Sequence, residues 1–199
     1  VIRKVRRFTK IKKIGHSGTL DPFATGVLAL AFGEATKSIQ FLSSVKEYDF
    51  EVTFGETRDT DDVTGNVIES NDVYPSLNSI NNCIKTFIGT IDQVPPHYSA
   101  VKVEGQRAYK LARKGKTFEL GSKKVEIFKF QCLTKTADKI YSLRVKCSSG
   151  TYIRSLARDI AEKLGCFAYV SSLRRTGIGK INEKNLISLD KFEELVHIG

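Results

Sequence analysis

Apolar and polar residues alternate most regularly between Tyr48 and Phe54, where Tyr48, Phe50, Val52 and Phe54 are interleaved with Asp49, Glu51 and Thr53. A period of two puts the apolar set on one face, so this segment predicts a half-buried strand. Lys124 to Leu133 and Ile140 to Cys147 predict two more strands, joined by a polar turn around Ala137-Asp138. Val27 to Phe32 predicts a short buried strand, and another begins near Val67 after the turn at Gly65. The period lengthens to that of a helix from Asn78 to Phe87, where Ile80, Ile84 and Phe87 share a face. It does so again from Tyr152 to Leu164, with Ile153, Leu156, Ile160 and Leu164 inward and Gly165 as the stop. Helices are also expected from about Glu34 to Ser44, from Gln106 to Lys114 and from Leu189 to Val196, with Cys166 to Ile178 extended. The acidic run Glu56 to Asp62 predicts a loop, and Pro95-Pro96 breaks regular structure.

Strands close enough for hairpins, mixed irregularly with helices, predict an α+β fold. The expected architecture is a mixed, mostly antiparallel central sheet flanked by helices, rather than a doubly wound parallel one. A length of 199 residues suits one domain with a real core. No run approaches the roughly 18 apolar residues of a membrane span, and the basic N-terminus lacks the apolar stretch of a signal peptide. Cys83, Cys132, Cys147 and Cys166 form no CxxC pair and the three histidines are scattered, so neither a metal nor a cofactor is expected. The chain starts at Val1 and has no methionine, which reads as a missing natural start.

Charge narrows the choice of partner. The formal net charge is +10, unevenly spread. Arg3, Lys4, Arg6, Arg7, Lys10, Lys12 and Lys13 precede Gly15 with no acid among them. A second basic stretch runs through Lys102, Arg107, Lys110, Arg113, Lys114 and Lys116, and a third comprises Arg154, Arg158, Lys163, Arg174 and Arg175. Such patches neutralise phosphates and predict salt-sensitive binding of a polyanion.

The stretch Gly15-His16-Ser17-Gly18-Thr19-Leu20-Asp21-Pro22 fixes a lone carboxylate on stiff backbone. Gly15 and Gly18 permit positive φ, and Pro22 restricts Asp21 to extended geometry. Taken alone, the loop reads more readily as a turn or a helix N-cap.

It does not stand alone. Gly15 to Lys37, GHSGTLDPFATGVLALAFGEATK, resembles the signature of the TruB family of tRNA pseudouridine synthases. In that family's order follow Lys46-Glu47-Tyr48 leading to Asp59-Thr60-Asp61, the run Val94 to Lys102, Gly150-Thr151-Tyr152-Ile153-Arg154, and Leu173-Arg174-Arg175. The resemblance implies a pseudouridine synthase fold with its active-site cleft across the sheet. It implies a single catalytic domain over 1–199, with an RNA-gripping insertion at about 95–121. Relatives carry a further strand upstream, and many bacterial ones a small C-terminal PUA-like module, which is expected to be missing or absent here. The implied reaction turns a uridine of the tRNA T loop (position 55) into pseudouridine: the base is flipped out, C1′–N1 is cleaved and C1′–C5 is formed. No cofactor is implied. The implied partner is the tRNA T stem-loop, acted on in the cytoplasm by a monomer without an obligatory protein partner. Two alternatives stand beside it: a guide-RNA-dependent pseudouridine synthase, and a non-catalytic RNA-binding or RNA-folding protein.

By the same resemblance Asp21 is the catalytic aspartate, a nucleophile or a base at the sugar, and Arg154 is the cation that holds it. Tyr48 reads as core from its spacing, but the resemblance makes it the ring that stacks on the target base. Tyr152 shares a face with Arg154 if that segment is extended. Leu173 supplies an apolar wall, and His16 wedges into the RNA loop. Lys37 contacts phosphate or lines the cleft, while Tyr98, Lys102, Arg113 and Arg174 bind RNA. Asp59 and Asp61 read as a solvated acidic loop that orders the cleft, not as catalytic carboxylates.

Overall fold

The computed structural model describes residues 1–198. Helix α1 (Ile2–Thr9) leads into three short strands, β1 (Ile14–His16), β2 (Thr25–Gly26) and β3 (Leu30–Phe32). A 3-10 helix (Gly33–Phe41) precedes β4 (Lys46–Phe54), β5 (Glu56–Arg58) and β6 (Val67–Ser70). Then come α2 (Leu77–Lys85), β7 (Gly89–Gln93), β8 (Lys102–Val103), β9 (Gln106–Arg107) and α3 (Ala108–Ala112). The long hairpin β10 (Lys123–Ala137) and β11 (Ile140–Cys147) follows, then α4 (Ile153–Lys163), β12 (Ala168–Ile178), β13 (Ile181–Asn182) and α5 (Leu189–Ile198).

The central sheet has the order β13-β12-β4-β11-β10-β7, with β2 also paired to β12. Its pairs are antiparallel except β2 with β12, so the α+β, mostly antiparallel expectation holds. Alternation decides which face is covered. Tyr48, Phe50, Val52 and Phe54 of β4 are buried, in one cluster with Ile80 and Ile84 of α2 and Leu156 and Ile160 of α4. Each such side chain contributes about 1.5–3 kcal/mol on removal from water. Ser76 starts α2 as a side-chain cap, its hydroxyl accepting from the Ser79 amide at 3.1 Å.

Four local expectations are corrected. Only Leu30–Phe32 of the Val27–Phe32 run is strand, half-buried and paired with β1 outside the central sheet. The segment after it is a 3-10 helix with no buried residue, so it has no apolar stripe to drive a full α-helix. The run from Glu56 opens as strand β5, paired with β6, before it becomes a loop. Helix α1 was not expected, because its cations mask the spacing of Val5 and Phe8. Both are buried, Phe8 edge-on to Phe192 of α5, while Lys4 pairs with Asp190 at 2.8 Å.

Candidate active site

Asp21 lies in the loop between β1 and β2, its carbonyl accepting from the Ala24 amide at 3.0 Å. Arg154 sits in the first turn of α4, 133 residues away in sequence. The two meet as a fork: Nε donates to Oδ2 and Nη2 to Oδ1, each at 2.9 Å. Arg154 is only 4% exposed, against 29% for Asp21, so one end of the pair is locked and the other faces outward. The guanidinium also donates to the Thr60 carbonyl at 2.9 Å and the Tyr98 carbonyl at 3.2 Å. Asp62 lies 3.5 Å away. Planar, bidentate pairing of this kind fixes direction as well as distance.

The acidic loop therefore does more than face solvent. Asp61 and Asp62 are buried, which corrects the solvated reading. Asp62 is saturated by the Thr60 hydroxyl (2.9 Å) and by the amide and hydroxyl of Thr64 (2.9 and 2.5 Å). Burial pushes the Asp61 carboxyl above its ordinary range, and the nearby Arg158 charge opposes the shift. Arg158 reaches Asp61 at 3.4 Å and also donates to the Val94 carbonyl, tying the loop to the root of the insertion.

A cavity of about 280 Å³ opens over Asp21, walled by Lys46, Tyr48, Tyr98, Tyr152, Arg154 and Leu173 among others. Burial raises the Tyr48 phenol pKa, with Arg175 acting against it. Burial likewise raises that of Tyr152, opposed by the Ser99 hydroxyl. Tyr152 and Arg154 do not share an extended segment as expected. Tyr152 is the extended residue just ahead of α4, and Arg154 is helical. They reach one cavity because the turn into the helix redirects the chain. Gln93 locks that turn, its amide donating to the Tyr152 carbonyl (3.1 Å) and accepting from the Tyr152 amide (2.8 Å).

The remaining candidates lie outside the cavity walls. His16 is half-buried on β1, its Nδ1 buried without a partner. Lys37 is exposed and paired with Glu34 at 2.6 Å. Lys102 on β8 is exposed, and Arg113, just past α3, lies over the Tyr109 ring at 5.6 Å. Arg174 pairs with Glu183 and donates to the Thr25 hydroxyl at 3.2 Å. Among the described residues, no cluster of three or more His, Cys, Asp or Glu side chains could hold a metal ion, and no helix is long and apolar enough to cross a membrane.

Four positions escaped the sequence reading: Lys46, Asp62, Gln93 and Arg175. Arg175 has no solvent exposure. It donates to the Val27 carbonyl at 2.7 Å and the Gly18 carbonyl at 3.3 Å, so it holds the Asp21 loop from behind. The available signal was its spacing two residues from Leu173, which puts both on the inner face of β12.

Comparison with known proteins gives the class to which this fold corresponds. Residues 6–153 match the family model of the TruB family pseudouridylate synthase (N terminal domain), and residues 154–198 that of the tRNA pseudouridylate synthase B C-terminal domain. The chain is 45% identical over 205 residues to tRNA pseudouridine synthase B of Ehrlichia ruminantium, covering 100% of this chain and 68% of that protein. To the protein of the same name from Rhizobium johnstonii it is 42% identical, covering 98% and 65%. Among solved structures it is similar to a Cbf5-Nop10-Gar1 complex, with TM-score 0.73, 29% identity, and 97% and 49% of the respective chains covered. It is also similar to an H/ACA RNP bound to a substrate RNA containing 2'-deoxyuridine, with TM-score 0.70, 25% identity, and 97% and 47% covered. The chain belongs to the TruB family of pseudouridylate synthases. It spans about two thirds or less of the length of the curated relatives it matches.

Proposed function

We propose that the chain isomerises a uridine in the T loop of tRNA to pseudouridine, in the cytoplasm, without a cofactor. The observation that carries this reading is the Asp21–Arg154 fork at the edge of a cavity whose walls include Tyr48, Tyr152 and Leu173. Relatives named tRNA pseudouridine synthase B supply the substrate class.

The target base leaves its stack and enters the cavity, at a cost of a few kcal/mol. The Tyr48 ring receives its face, and Leu173 and Tyr152 close the sides. Asp21 acts at the ribose, as nucleophile at C1′ or as base. Arg154 fixes the carboxylate so that its outward side meets the sugar, and little reorganisation remains to be done in the reaction. Outside the cavity His16, Lys102, Arg113 and Arg174 belong to the surface that receives the RNA, with Tyr98 joining it from the cavity wall and Lys37 at its margin. The insertion is the gripping element, and the chain acts as a monomer without an obligatory protein partner.

The test is pseudouridine formation on an unmodified T stem-loop RNA by the chain and its Asp21→Asn variant. The expected result is product from the first and none from the second, with RNA affinity within a few-fold. Turnover by Asp21→Asn would overturn the assignment of the residue. RNA binding without product from either chain would instead favour guided action, in line with the RNP structures it resembles.

A further inference from the structure

We propose that Lys46 is a further catalytic group of this site, its ammonium holding the negative charge that the uracil carries while detached from the sugar; this rests on the function proposed above.

Lys46 begins β4, opposite Cys147 of β11 and Ile178 of β12. It lies two residues before Tyr48, so both face the same side of the strand, and both wall the cavity. Glu47 between them faces the other way and pairs with Lys146 at 3.0 Å. Lys46 itself is half-buried and has no carboxylate within ion-pair distance among the described residues. Its Nζ packs on the loop that carries Asp21, only 2.9 Å from where a Cβ on Gly18 would sit. Gly18 has φ +118°, so glycine meets two demands at once: the backbone conformation and room for the ammonium.

The charges around the cavity do not cancel. Asp21 is taken up by Arg154, and Asp62 lies beside the same guanidinium. Arg175, wholly buried behind the Gly18 side of the loop, donates to the Val27 and Gly18 carbonyls and lies against the Tyr48 phenol, with no carboxylate paired to it among the described residues. Lys46 in the wall and Arg175 behind it therefore bring two positive charges to one side of the cavity, with no acid paired to either among the described residues. Burial, and after it the Arg175 charge, lower the Lys46 pKa below that of an ordinary lysine, while Cys147 acts in the opposite sense. A half-buried ammonium beside a second cation is unfavourable in the free protein and becomes favourable when an anion arrives.

The reaction supplies one. When N1–C1′ breaks, the bonding pair stays on N1, and the uracil carries one negative charge spread onto its two carbonyl oxygens. C5 then bonds to C1′, C5 loses its proton and N1 gains one, so the isomerisation balances with no co-reactant. A rise of about 3.3 Å per residue places the Lys46 backbone about 6.6 Å from that of Tyr48. A lysine side chain spans that gap to reach a carbonyl oxygen of a base lying on the Tyr48 ring. The phosphates of a flipped nucleotide stay at the mouth, in solvent, and do not call for a cation in the wall.

The test is turnover of a T stem-loop RNA by the full chain and by Lys46→Met and Lys46→Arg, with melting temperatures and RNA binding measured alongside. Lys46→Met is expected to lower kcat by roughly 10²–10³-fold with KM unchanged, the usual effect of losing one donor to a developing anion. Lys46→Arg is expected to recover much of that loss. The wild-type kcat/KM should fall at alkaline pH as Lys46 deprotonates in the free protein, with a midpoint below the ordinary lysine value. In Lys46→Arg that fall should move to higher pH. The titratable or charged groups facing Lys46, unchanged in the variant, are Tyr48 on its own strand, Cys147 on β11, Arg175 on β12, and Asp21, Tyr152 and Arg154 across the cavity. A raised KM with kcat intact and a shallower salt dependence in Lys46→Met would make Lys46 a phosphate contact and overturn the proposal. So would full activity in Lys46→Met. If Lys46→Met does not fold, an alkaline limb in Lys46→Arg identical to wild type overturns it. Absence of pseudouridine from the wild-type chain itself would overturn the function reading, and this one with it.

Discussion

The cavity around Asp21 and the insertion between β7 and β10 solve opposite problems with similar residues. At the cavity, Arg154 joins Asp21, Thr60 and Tyr98 from three distant parts of the chain and is almost entirely buried. In the insertion, Lys102 and Arg113 stand on a two-residue strand and at the end of a five-residue helix, both exposed. A guanidinium spent on internal acceptors fixes geometry and has little left for a ligand. An exposed cation on a short element is free to follow a phosphate, and its contribution is screened by salt. Mutations in the two regions should therefore change different quantities: turnover and stability in the first, affinity and salt dependence in the second.

The largest effect is expected from Arg154→Ala. It leaves Asp21 and the buried Asp62 without their shared counter-charge, which should cost about 3–5 kcal/mol by denaturant unfolding and abolish turnover. Arg154→Lys keeps the charge and loses the fork. We expect kcat about 10²-fold lower with RNA affinity unchanged, measured under saturating RNA. Gln93→Ala removes both bonds to the Tyr152 backbone and leaves its amide and carbonyl unpaired. About 1–3 kcal/mol of stability should go, with a drop in kcat larger than any change in KM. Lys102→Ala combined with Arg113→Ala should weaken RNA binding and reduce its salt slope by up to about one per lost phosphate contact, leaving kcat intact. The smallest effect on stability belongs to Arg174→Ala. Its half-exposed pair with Glu183 contributes about 0.2–1 kcal/mol, and a larger loss would place it with the cavity residues.

The same comparison explains what the sequence made legible. β4, the β10–β11 hairpin and the inward faces of α2 and α4 follow from apolar spacing, because one side of each is buried. The reading fails where charge and burial part company. Val5 and Phe8 are hidden among cations, Arg175 looks like the second half of a surface Arg-Arg pair, and Asp62 looks like one more acid in a polar run. Each is buried through partners far along the chain or through backbone carbonyls, and apart from the spacing of Arg175 from Leu173 no local pattern records that. Tyr152 and Arg154 were placed together by motif, but the helix entry that aims them depends on Gln93, on a strand 59 residues away.

The most direct measurement is the single-turnover rate of pseudouridine formation on a T stem-loop RNA at saturating protein, comparing Arg154→Lys with the Lys102→Ala, Arg113→Ala double variant. The account predicts a rate about 10²-fold below wild type for the first and a wild-type rate for the second. Equal losses in both, or a wild-type rate for Arg154→Lys, would contradict the claim that the fixed Asp21–Arg154 geometry drives the chemistry while the basic insertion only holds the RNA.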